Sequence, residues 1–150
     1  MKKVISIFLI IFSFLFSWQI ASYAQTNTAP EKDSKELMIQ DTLLLLLHEE
    51  IDSAVTDFYS DSLSESPTVY PYQIEIVEVK RVGGFRAFHF LITLEATPVV
   101  GPHISVGKDR MTLEVDPTID GNVRLKKFEH LETHDLPPHW QHIIKKENNG

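Results

Sequence analysis

The chain has 150 residues, room for one domain, and carries 14 Lys+Arg against 21 Asp+Glu, a formal charge of −7. That balance argues against a nucleic-acid partner, because neutralising phosphates needs a surplus of basic side chains. Cysteine is absent, which excludes a disulfide framework, a thiolate nucleophile, a zinc ribbon and a lipid-modified cysteine.

Lys2 and Lys3 form a positive n-region, Val4 to Trp18 is apolar apart from serines, and Ser22-Tyr23-Ala24 offers small residues ahead of a cleavage point before Gln25. This is the pattern of a signal peptide over 1–24. Adding Gln19 to Ala21 brings the run close to the ~20 residues of a spanning helix, so an uncleaved anchor in the cell membrane is the alternative. Both readings put the domain outside the cytoplasm, and the flanking charges agree with that orientation. Cleavage removes two lysines and no acid, leaving a mature charge of −9.

Residues 25–37 are polar and lack an apolar period, as in a disordered tether to a single domain over 38–146, with a disordered tail at 147–150. A helix is predicted from Asp41 as N-cap, with apolar positions Leu44, Leu47, Ile51, Ala54, Val55 and Phe58 on one face. Five consecutive leucines exceed one stripe, so the first turns call for cover by the C-terminal segment or a partner, a second copy of the chain included. Beyond Pro71 the period becomes alternating. Tyr72, Ile74 and Ile76 share a phase that Val77 and Val79 break, the mark of a β-bulge or of a strand covered on both faces. Gly83-Gly84 reads as a two-residue hairpin turn. The following strand runs to Ala96 with Phe88, Phe90, Ile92 and Leu94 toward the core.

A third strand is predicted over His103 to Val115 with a break at Gly107-Lys108, and a fourth over Val123 to Phe128. A short second helix is expected near Pro138, with Trp140, Ile143 and Ile144 on its apolar side. Consecutive strands with short loops pair as an antiparallel meander. The predicted class is therefore α+β, a helix packed on a four-stranded antiparallel meander sheet with a short C-terminal helix, cystatin-like in outline.

Several stretches resemble catalytic signatures without completing them. Gly101 to Lys108 has five residues between its glycines where a phosphate loop has four, and Asp109 stands where Ser or Thr should bind magnesium. His103-Ile-Ser-Val-Gly107 lacks the first glycine of a nucleophile elbow. His48-Glu-Glu-Ile-Asp52 puts two ligand types on one helix face, but His48 also falls in the apolar stripe, where a histidine at the core edge is the simpler reading. His130, His134, His139 and His142 crowd into one segment. A solvated tail is the plainer account of them, and a weak metal site or pH-sensitive patch the sharper one. His103, Lys108, Asp109 and Arg110 lie at the suspected bulge, where re-aimed side chains can border a binding site. The competing reading is an ordinary strand with an exposed Asp109–Arg110 ion pair. Residues 31–65 carry ten acidic residues and two lysines, a solvated helix face or a dock for a cationic partner.

With Asp41-Thr-Leu-Leu-Leu-Leu-Leu47, Phe88-His-Phe90, Gly101-Pro-His-Ile-Ser-Val-Gly107 followed by Asp109-Arg110, and Leu125-Lys-Lys-Phe-Glu-His130, the chain resembles a family of short exported proteins from Bacillus-like Gram-positive bacteria, a domain of unknown function. The resemblance covers about 38–146 and implies an extracytoplasmic setting without an assigned activity. No cofactor or metal is predicted. The functional expectation is a non-enzymatic binding module for a protein or cell-envelope component, acting through the sheet face or the third strand. It touches a membrane only through an uncleaved N-terminal segment. The rival is a small metal-dependent or hydrolytic enzyme using the histidines.

Overall fold

The computed structural model describes residues 33–145. The expected signal segment, the tether as far as residue 32 and the tail at 147–150 lie outside the described residues. Helix α1 spans Lys35–Tyr59, so it starts ahead of Asp41 and takes in residues read as tether. The cap is Ser34, extended at φ −70° and ψ 156°, whose hydroxyl accepts the Leu37 N–H at 3.1 Å. One such bond satisfies a first-turn donor that the helix itself cannot. Leu44, Leu47, Ile51, Ala54, Val55 and Tyr59 form the buried stripe. Phe58 is half-exposed and stacks on Phe128, with ring centroids 4.7 Å apart. Leu45 and Leu46 remain 65 % and 75 % exposed, so the described part of the C-terminal segment, as far as residue 145, does not cover these two leucines. It crosses the other end of the helix, where Lys145 N–H donates to the Ser62 carbonyl and Ser64 N–H to that of Ile143, both at 2.8 Å.

The sheet follows in chain order: β1 (Ile74–Val82), β2 (His89–Ala96), a two-residue hairpin β3 (Val99–Val100) with β4 (Ile104–Ser105), β5 (Gly107–Val115) and β6 (Val123–Thr133). The spatial order β1-β2-β5-β6 is antiparallel throughout, giving one helix packed with a four-stranded sheet in an α+β domain. Val77 is the extra residue between the pairs Ile76–Leu94 and Glu78–Thr93, which is the bulge expected from the change of phase. It returns Arg81 to the helix side, where its guanidinium lies over the Phe90 ring at 4.5 Å.

Three local expectations are corrected. The β1–β2 connection is 83–88 rather than a two-residue turn. It turns at 84–87, with Ala87 N–H bonded to the Gly84 carbonyl and Arg86 at φ +62°, which leaves Phe88 in solvent instead of the core. The long third strand is interrupted at Val106, not at Gly107-Lys108. Val106 N–H turns to the Pro98 carbonyl, and its own carbonyl accepts the His134 N–H, each at 3.0 Å. Finally, the C-terminal helix is only a 3₁₀ turn at Gln141–Ile143. Ile143 is fully buried and Ile144 bridges Leu63 as in a strand, a pairing that a continuing helix would forbid.

Ile92, Leu94 and Ala96 of β2 and Met111 and Leu113 of β5 meet the α1 stripe to form the core. Two helix carboxylates tie the layers. Glu50 accepts the Leu125 N–H of the edge strand β6 at 2.8 Å, and Asp52 accepts that of Val69 at 3.2 Å. Among the described residues no helix is long and apolar enough to cross a membrane.

The outer sheet face is a charged ladder. Glu114 is nearly buried there and accepts from Arg124 Nε at 2.8 Å and from Lys126 at 3.3 Å, with His89 Nε2 also 2.8 Å away. The Arg124 hydrogen bond, above all, holds the Glu114 carboxyl down to about 2 from the ordinary 4.5. A carboxyl lowered on folding adds stability that is complete above its unfolded value and lost as pH falls through the folded one. Urea midpoints measured between pH 5.5 and 2.5 are therefore expected to drop less steeply for Glu114→Gln than for the wild type, and parallel profiles would refute the assignment.

Candidate functional site

Successive residues of a strand point to opposite faces, and on β5 this separates the four residues singled out by sequence. Lys108 and Arg110 lie on the outer face, and both bind Glu95 of β2, Lys108 Nζ at 2.5 Å and Arg110 Nε at 3.0 Å. Asp109 turns inward and is wholly buried. His103 sits apart in the β3–β4 turn at φ +62°, against Tyr70 and Tyr72. The exposed Asp109–Arg110 pair is therefore not formed, since alternation places the two side chains on opposite sides of the sheet. The bulge beside them belongs to the partner strand: Lys108 pairs with Glu132 and Asp109 with His130, leaving Leu131 as the extra residue.

Leu131 builds a site. Without it His130 and Thr133, three positions apart, would face opposite ways. With it both turn to the inner face. His130 Nδ1 lies 2.6 Å from Asp109 Oδ1, and His130 Nε2 lies 2.7 Å from Thr133 Oγ1. From the last turn of α1, Tyr59 donates its hydroxyl to Asp109 Oδ2 at 3.1 Å, and Phe58 stacks on the His130 ring at 5.0 Å. With Asp109 as carboxylate, the short contact requires a proton on His130 Nδ1, because a carboxylate has none to donate. Burial pushes the Asp109 carboxyl above 3.8 against the opposing hydrogen bonds from His130 and Tyr59. Burial, followed by the charge of Asp109, pushes the Tyr59 phenol up, so it remains a donor.

Gly107 makes this packing possible. A Cβ there would stand 2.5 Å from both Tyr59 Oη and the Glu132 carbonyl, and 3.0 Å from the His130 ring. Above the cluster opens a cleft of about 300 Å³, walled by Phe58, Leu63, Val106, Leu136 and Ile144, with His130, Thr133 and His134 as polar groups. His134 Nδ1 is 2.7 Å from Ser105 Oγ. Ser105 lies in β4 and donates to the Gly107 carbonyl, so the elbow-like stretch presents no free hydroxyl on a sharp turn.

The remaining motifs disperse. In the helix stretch that resembled a zinc site, Asp52 is spent on the Val69 N–H, and His48 Nδ1 is buried without a hydrogen-bond partner among the described residues. His139 and His142 lie on the C-terminal turn, where the His142 ring bonds the His139 carbonyl, while His130 and His134 go to the cleft. No group of three or more His, Asp or Glu among the described residues could hold a metal ion. Sequence reasoning missed Tyr59 and His130 as partners of Asp109, and Thr133 as the second partner of His130. The buried, inward phase of Asp109 next to Gly107 was the available signal.

Fold and site together define a small α+β protein with an apolar cleft lined in part by a histidine and a tyrosine that hold a buried aspartate behind them. Its sequence matches, over residues 39–132, the family described as Protein of unknown function (DUF3888), and the chain belongs to that family. No curated protein and no solved structure matches it.

Gly107→Ala is expected to cost about 1–3 kcal/mol, as overpacking does in a filled interior. In that background Tyr59→Phe should add little, because the Tyr59–Asp109 bond is already displaced. Urea unfolding of the four proteins checks this, and additive losses would refute it.

Proposed function

We propose that the domain is a non-enzymatic binding module working outside the cytoplasm, either secreted or held by an uncleaved N-terminal helix, that receives an apolar group of a protein or cell-envelope partner in its cleft. The carrying observation is the cleft itself: about 300 Å³ lined chiefly by aliphatic and aromatic side chains, with a few convergent polar groups on one wall. Such a lining favours a ligand with an apolar body and a single hydrogen-bonding head. His130 suits the wall of a binding pocket because Asp109 and Thr133 fix both of its nitrogens. The charged n-region, apolar run and small-residue cleavage point support the compartment.

Octanol and octanoate, titrated into the full chain, are expected to shift amide resonances of Leu63, Val106 and Leu136 saturably. Ser62→Trp at the rim should abolish the shifts while leaving the circular dichroism unchanged. Absence of saturable shifts with both probes would overturn the reading. So would a fluorophosphonate adduct on Thr133, since the order Thr133–His130–Asp109 would then be acting in acyl transfer.

A further inference from the structure

A second arrangement, on different residues, follows from the turn chemistry before β1 and inside the β3–β4 hairpin. Pro71 opens a 3₁₀ turn that sets Tyr70 and Tyr72 side by side, their rings stacked at 5.5 Å and 12°. His103, held at φ +62° with its N–H on the Gly101 carbonyl, lies 4.8 Å from the Tyr70 ring at 34°, with its Nδ1 3.1 Å from Tyr72 Oη. The shallow angles leave these rings close to parallel, not converging on a point as in a cage. Tyr70 occupies one face of Tyr72, yet Tyr72 is 72 % exposed, so its free area lies on the other face and the edge. Beside Tyr72 opens a polar cavity of about 280 Å³, bounded by Gln73, Glu75, Glu95, Thr97 and Lys108. Glu95 is held there by Lys108 and Arg110, so its acceptor geometry is set before any ligand arrives.

The geometry points to a glycan-binding site, in which the apolar face of a hexopyranose ring stacks on Tyr72 while its hydroxyls bond the carboxylates and Lys108 of the adjoining cavity. A flat, rigid, amphipathic ring that can stack and still reach water is the surface such a sugar face requires. The rival ligands fit less well. A nucleobase would bring phosphate to a chain of net charge −7. A quaternary ammonium calls for rings that converge around it, as in an aromatic cage. A run of prolines carries no N–H donor for the Glu75 and Glu95 carboxylates of the cavity, whereas sugar hydroxyls can donate to them.

The experiment is co-sedimentation of the full chain with insoluble chitin and with cellulose, and release by tetra-N-acetylchitotetraose or cellotetraose. Retention on at least one polymer with release by its own oligomer is expected. Tyr72→Ala should weaken retention at least tenfold with unchanged circular dichroism, and His103→Ala by less. Ser62→Trp, which closes the apolar cleft, should leave retention unchanged, so this site and the cleft stand or fall separately. No retention on either polymer, equal retention of Tyr72→Ala, or saturable binding of a decaproline peptide in place of the sugars would each overturn the assignment.

Discussion

Asp109 is wholly buried, and a carboxylate away from water is tolerable only where its oxygens are met by donors. Here one oxygen takes the Tyr59 hydroxyl and the other faces His130 Nδ1, so one side chain of β5 joins the end of α1 to β6. Much else follows from keeping that contact. Gly107 must lack a side chain, and Leu131 must be accommodated as an extra residue. The contact also fixes His130, one of the few polar groups that line the cleft. Because the Asp109 carboxyl is raised on folding, its contribution to stability is complete below the unfolded value of 3.8 and is lost as pH rises through the folded one. The site thus opposes the outer face, where Glu114 contributes in the reverse sense.

Much of the frame was legible because it rests on periodicity. The stripe from Leu44 to Val55, the alternation beyond Pro71 and the phase break at Val77 each describe one element and its buried side. Boundaries were less legible where a local hydrogen bond decided them. Ser34 and Asp41 are both acceptable caps, and only the Ser34 bond to Leu37 shows which one is used. The 138–144 stretch has an apolar spacing compatible with a helix, but Ile144 pairs with Leu63, 81 positions earlier, and a local period carries no record of that partner.

The site was half-legible for a related reason. Asp109, Lys108, Arg110 and His103 were grouped at a bulge expected in their own strand, but the break falls at Val106 and the bulge on β6, and the grouping assumed that neighbours in sequence act together. Alternation along β5 sends Asp109 to the core and Lys108 with Arg110 to Glu95, while His103 joins two tyrosines from before β1. Their partners come from other strands through register, and register here turns on single extra residues. A shift by one would have put Thr133 on the outer face and left His130 without its second contact.

Those extra residues also govern how the sheet can meet a partner. β1 and β6 are its edges, and an edge normally offers a row of unpaired N–H and C=O groups for strand addition. Both are interrupted, β1 by Val77 and β6 by Lys126 and Leu131, and Glu50 has already taken the Leu125 N–H. Lys80, Arg81, Lys126 and Lys127 add charge along the same strands, which further disfavours an incoming backbone. Recognition by main-chain pairing is thereby discouraged on both sides. The two proposed sites, the apolar cleft beside the Asp109 cluster and the tyrosine rings at the β3–β4 hairpin, present side chains rather than sheet edges.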